Sequence, residues 1–330
     1  MKKKILAIVL ASLMLCISLS GCGDYIESFG SSSQEDDTEK YNAYIDFSNY
    51  ITQWFDNALF DYFEEFGIEE DIIVRENFSD FNTYPILKVH EEQVEKTLEY
   101  ASKEPSYGET DEAIKALCPK LKDFMDTIKE MEEYYQSKSF IDDDFKRGNE
   151  LHKEILTQYE EYMELSEKFN AEFSEITEEK KQEDLEQLKE DDYMIRYYAM
   201  RVIIKAQDIQ TSFYDAGVYG ENILDFDVDV YREKYDSLTE DVSKFMEYLD
   251  DEERFKREGF ENNAFISRFK EDAISVKAAA TDIMQILETK NLDLESDTKG
   301  LVTTGETIPP TEYYDEKVSQ LIDSYNNMIN

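Results

Sequence analysis

The sequence predicts an all-α protein, an elongated antiparallel bundle of about seven to eight helices. Three observations lead there. Apolar side chains recur at steps of three and four along most of the 330 residues, the spacing that lays one apolar stripe along an α-helix. The 11 Gly and 5 Pro are too few for the many turns of an all-β fold. An apolar content of 41%, carrying 23 Tyr and 20 Phe, suffices for a buried core and excludes wholesale disorder.

The N-terminal element comes first. Lys2, Lys3 and Lys4 precede an unbroken apolar run from Ile5 to Ile17. That run is too short to span a bilayer and the right length for a signal-peptide core. Leu19-Ser20-Gly21-Cys22 follows at once. The segment resembles the signal of bacterial lipoproteins, in which the cysteine thiol takes a diacylglycerol and the chain is cut just before it. The resemblance implies that residues 1–21 are removed and that Cys22 is the lipidated N-terminus. Two acyl chains hold a protein stably to a membrane without crossing it, so the expected location is the extracytoplasmic face of a cell membrane. Residues 22–40, rich in Ser, Gly and acid, read as that cysteine followed by a flexible tether. Glu35-Asp36-Asp37 within it is repelled by an anionic bilayer, which would hold the body off the surface. No later apolar run reaches transmembrane length.

Residues 41–290 read as the helical bundle. Tyr44, Phe47, Ile51, Phe55, Ala58, Tyr62 and Phe66 form its first stripe. A shorter helix is expected from about Tyr84 to Ala101. Ile114, Leu117, Leu121, Phe124, Ile128, Met131 and Tyr135 mark the next. Thr110 or Asp111 is placed to cap its start, and Pro119 is expected to kink or split it. Leu151, Ile155, Tyr159, Tyr162, Phe169, Phe173 and Ile176 mark a further helix. Asp142 or Asp143 is placed to cap it, Gly148 weakens its first turn, and Ser166 fills a slot where an apolar residue is expected. Three more stripes run from Ile195 to Phe213, from Leu224 to Leu249 and from Phe269 to Leu287. Residues 291–310, with Gly300, Gly305, Pro309 and Pro310, read as a loop. Residues 311–330 read as a C-terminal helix capped by Thr311, whose Tyr314, Val318, Leu321, Tyr325 and Met328 dock on the bundle. No break in composition demands two domains, and the turn from Gly217 to Gly220 is the best candidate boundary.

The chemistry is sparse. With 77 Asp+Glu against 35 Lys+Arg the formal net charge is −42. That excludes nucleic acid as a partner, because phosphate binding needs clustered Lys and Arg. Of the 3 Cys, Cys16 would leave with the signal and Cys22 would carry lipid. Cys118 remains, so no intramolecular disulfide is expected, and beside Ile114, Leu117 and Leu121 it reads as a small buried apolar side chain. His90 and His152 lack the Glu-x-x-His and His-Glu-x-x-His spacings of metal sites and read as solvated helix faces. Asp225, Asp227 and Asp229 take positions 1, 3 and 5 of a calcium loop, but Val230 stands where glycine is needed and Asp236 where glutamate is needed. The competing reading of these acids, and of Asp142-Asp143-Asp144, is a helix start favoured by the dipole. The pairs Asp191-Asp192 and Asp250-Asp251 are expected by chance in so acidic a chain. The residues therefore imply no catalytic centre, no metal and no cofactor, with Asp225, Asp227 and Asp229 as a weak calcium alternative.

Lys40-Tyr41-Asn42-Ala43-Tyr44-Ile45 opens the first helix, and Tyr325-Asn326 lies in the last. With the overall helical length, these segments make residues 40–330 resemble the uncharacterised YiiG-like lipoproteins. The resemblance implies an all-helical extracytoplasmic domain and carries over no catalytic residue. Two roles fit the sequence. One is a non-enzymatic envelope protein whose helices contact another envelope protein. The other is a binding protein that captures a small ligand or cation in a groove between helices, for which Ser166 is the one polar marker on an apolar face.

Overall fold

The computed structural model describes residues 32–292 and 308–329. The expected signal peptide, Cys22, the first part of the expected tether and most of residues 291–310 lie outside the described residues. Among the described residues the protein is all-α, without strands. Its eight long helical stretches are 32–66, 88–100, 109–136, 146–190, 194–215, 228–249, 265–289 and 310–329. No helix among the described residues is long and apolar enough to cross a membrane.

The chain divides into two compact units at Lys180 and Lys181. The turn from Gly217 to Gly220, the best candidate boundary in the sequence, falls inside the second unit. In the first unit, α1 (Ser32–Tyr50), a π-helical turn (Ile51–Phe55) and α2 (Asp56–Phe66) form one continuous stretch. The others are α3 (Lys88–Tyr100), α4 (Glu109–Gln136), the short α5 (Phe140–Asp143) and α6 (Lys146–Glu190), whose last residues belong to the second unit. The ends that meet show the directions. Tyr100 bonds Glu39 while His90 stacks on Tyr50, so α3 runs against α1. Phe55 meets Phe124 and Phe66 meets Tyr135, so α4 runs with α1 and α2. Tyr44 meets Phe169 and Tyr62 meets His152, so α6 runs against them. The unit is an up-down-up-down four-helix bundle.

Both main stripes of this unit lie fully inside it. Every residue of the Tyr44-to-Phe66 stripe and of the Ile114-to-Tyr135 stripe is buried. The helices form because these stripes cannot be hidden otherwise, and aromatic rings at edge-to-face angles fill the space between them. Pro119 neither splits α4 nor ends it. It lies on the exposed face, where water can take the Lys115 carbonyl that loses its amide partner.

The second unit holds α7 (Met194–Asp215), a 3-10 turn (Gly220–Asp225), α8 (Val228–Leu249), the short α9 (Glu252–Arg257), a 3-10 turn (Phe260–Asn262), α10 (Phe265–Thr289) and α11 (Pro310–Ile329). Arg201 pairs with Asp241, Phe245 meets Phe269, and Phe269 meets Tyr325, so successive long helices are antiparallel. Tyr314 of α11 returns to α7 by donating to the Ala206 carbonyl at 3.0 Å. This is a second four-helix bundle, closed by its C-terminal helix.

Two boundaries differ from expectation. The flexible tether was expected to reach Lys40, but α1 begins at Ser32 and Lys40 is fully buried. Thr311 does not cap α11, which begins at Pro310, a residue preset for the first helical position. The Thr311 hydroxyl instead accepts from the Gly220 amide at 2.7 Å. Gly220 has φ +38°, and a Cβ there would lie 2.9 Å from Pro309 Cβ, so the close approach needs glycine.

Candidate functional site

Within each bundle the buried charged groups have structural partners. Lys40 Nζ donates to the Lys103 carbonyl (2.9 Å), the Pro105 carbonyl (2.8 Å) and Asp111 Oδ2 (2.8 Å). All three ammonium protons are used, so a lysine can be buried here. Asp111 also accepts from the Tyr44 hydroxyl at 2.6 Å and the Tyr107 amide at 2.8 Å. Asp111 thus anchors the loop before α4 and does not act as its N-cap.

His152 is fully buried, against the expectation of a solvated face. Its Nε2 lies 2.8 Å from the Glu69 carbonyl and its Nδ1 lies 2.8 Å from the Tyr62 hydroxyl. The carbonyl only accepts, so Nε2 carries the proton and Nδ1 takes the Tyr62 proton. Burial holds the imidazole below its ordinary pKa, in keeping with this neutral form. His90 is half-buried, with its ring 4.7 Å from that of Tyr50 and 5.0 Å from that of Trp54. Its Nδ1 accepts from the Leu87 amide and so satisfies the start of α3.

The other polar positions are equally committed. Ser166 is buried and donates to its own helix at the Met163 carbonyl, which removes it as a marker of a groove. Asp143 accepts from the Arg147 amide at the start of α6. Asp192 pairs with Arg254 and Arg257, which hold its carboxyl below the usual range. Asp251 caps α9 through the Arg254 amide. Glu258, fully buried, accepts from the Ile195 and Arg196 amides with its two oxygens and closes the start of α7. Asp241 is paired with Arg201. Burial pushes the Cys118 thiol up to about 12, so it is not a thiolate near neutrality.

An open groove of about 660 Å³ lies in the second unit. The end of α7, the 3-10 turn and the start of α8 form it. Its apolar wall is Ala216, Val218, Phe226 and Val230, and its acids are Asp208, Asp215, Asp225 and Asp227, with Lys234 beside them. Asp227 spends one oxygen on the Asp229 and Val230 amides as N-cap of α8. Asp208 pairs with Lys205 at 3.1 Å. Asp215 and Asp225 are exposed.

The acids singled out in the sequence are thus divided. Asp225 and Asp227 line the groove, whereas Asp229 points to Arg232 at 2.7 Å. The three do not converge, and among the described residues no group of three or more His, Cys, Asp or Glu is placed to hold a metal ion. Sequence reasoning missed Asp208 and Asp215. The available signal was their seven-residue spacing with Thr211 and Ser212 between, which sets one polar face on α7. The arrangement can offer spaced negative charge around an apolar wall.

Residues 35–327 match the family described as "Protein of unknown function (DUF3829)". The chain belongs to this family. The family span takes in both bundles, and it includes Lys40 and Asp111 as well as the acid-lined groove. Over 84 residues the chain is 31% identical to the Uncharacterized protein YiiG of Escherichia coli (strain K12). That stretch covers 25% of this chain and 24% of the relative, so about a quarter of each is compared. No solved structure matches the chain.

Proposed function

We propose that this family member is a lipid-anchored protein of the cell envelope that works by contacting another envelope protein and turns over no substrate. The observation that carries the reading is the run from Lys2 through the apolar Ile5-to-Ile17 segment to Leu19-Ser20-Gly21-Cys22. A signal of this form delivers a chain across a membrane and leaves it acylated at the cysteine. The commitment of Lys40, Asp111, His152, Asp241 and Glu258 to structural partners supports a role without catalysis.

A labelled fatty acid fed to cells should label the full chain, and Cys22→Ala should lose the label and leave the membrane fraction. A Cys22→Ala chain that keeps its label overturns the anchoring. In-cell cross-linking of the wild-type chain should return the same envelope protein in repeated captures. Return of nothing but abundant bystanders overturns the contact role.

The acid-lined groove favours a second reading, capture of a cation or small cationic ligand. A ligand of that kind raises the melting temperature by mass action. A screen with calcium and polyamines that leaves the melting temperature unmoved removes this reading.

A further inference from the structure

We propose that the groove between α7 and α8 is the docking site for a basic segment of a partner protein. An apolar side chain of that segment would sit on Phe226 and Val230, and its Lys or Arg side chains would face Asp215 and Asp225. The inference deepens the contact role proposed above and rests on it.

Charge and shape together select this occupant. The apolar wall includes Val230, which is 47% exposed and open to a partner's side chain. Asp215 and Asp225 stand exposed beside that wall with Lys234, while Asp208 is paired with Lys205 and Asp227 caps α8. The carboxylates are spread along the groove and do not converge, so their spacing suits charges distributed along a chain better than one point cation. Lys234 would meet a carbonyl of the partner's backbone. The net charge of −42 steers basic partners toward the chain from a distance.

Asp215 adds a local electrostatic term. It is the last residue of α7, and that last turn holds no basic residue. The negative end of a helix dipole disfavours an acid there. A basic partner side chain would offset that unfavourable charge.

The test uses the full lipidated chain in nanodiscs of neutral phosphatidylcholine. The probe is a fluorescent Lys-Leu-Lys-Phe-Lys peptide, with Glu-Leu-Glu-Phe-Glu as its acidic counterpart. The basic probe should bind saturably and the acidic one should not. Asp215→Asn with Asp225→Asn should weaken binding roughly five- to tenfold and leave the melting temperature equal or higher. Glu240→Gln with Glu271→Gln removes the same charge from exposed positions elsewhere in the unit and should leave binding unchanged. The proposal is overturned by absent saturable binding, by equal weakening from both double variants, by spermine displacing the peptide at equal concentration, or by a fall in melting temperature for Asp215→Asn with Asp225→Asn. In cells, a photo-reactive phenylalanine analogue replacing Val230 should cross-link a Lys/Arg-rich peptide. If it captures none while whole-chain cross-linking still returns one fixed partner, the groove fails and the contact role survives. If whole-chain cross-linking also returns no partner, the contact role itself fails.

Discussion

Lys40 concentrates the physics of the first bundle. A buried ammonium is tolerated because Asp111 and two carbonyls take all its protons, and removing one partner of such a pair is costly. Lys40→Met should therefore lower stability by about 3–5 kcal/mol in urea unfolding. A loss under about 1 kcal/mol would mean that Tyr44 and the Tyr107 amide suffice for Asp111. Residue type alone reads Lys40 as exposed, and its partner lies 71 residues away, so no local pattern announces the pair. Asp315 on α11 gives a pH test of the second bundle. Burial, with Glu312 adding repulsion, pushes its carboxyl up to about 6. The unfolded value is about 3.9, so the folded state holds this proton more tightly. The cost of the buried charge is present above the folded value and is relieved as pH falls through it. Asp315→Asn should stabilise the chain by about 1–2 kcal/mol at pH 8 and hardly at all at pH 4. Equal effects at the two pH values would contradict a charge origin.

Elements followed their apolar stripes closely, while their details followed contacts. Gly148 reads as a weak first turn, and in an isolated helix Gly→Ala gains about 0.5–1 kcal/mol. In the fold a Cβ there would lie 3.1 Å from Tyr134 Cε1 and 3.1 Å from Tyr135 Oη. Both rings are buried and cannot give way, so Gly148→Ala should instead lower stability by about 1 kcal/mol or more in thermal unfolding. A gain would show that the rings move. The π-helical turn was likewise unannounced. Within it the Thr52 hydroxyl bonds back to the Ser48 carbonyl at 2.9 Å, and Trp54 reaches the Pro85 carbonyl at 2.9 Å. A side chain that competes inside the backbone ladder bends a helix in ways its apolar period does not record.

At the scale of the whole molecule, the single Trp, Trp54, lies in the first unit, so its fluorescence reports that unit while circular dichroism reports all helices. Asp241→Ala leaves Arg201 without its carboxylate in the second unit. It should lower the dichroism transition and leave the Trp54 midpoint in place, and a matching shift in both signals would overturn separate unfolding. The sequence by itself determined that the chain is helical, where most helices run and which faces are hidden. That information is local, a repeat of about 3.6 residues that any single helix carries. Only the tertiary structure decided that there are two units, divided at Lys180 and not at Gly217 to Gly220. Only it joined Lys40 to Asp111, His152 to Tyr62, and Asp215 to Asp225 along one groove. Pairings of this kind depend on which helices meet and in which direction, and residues far apart in the chain carry no periodic trace of one another.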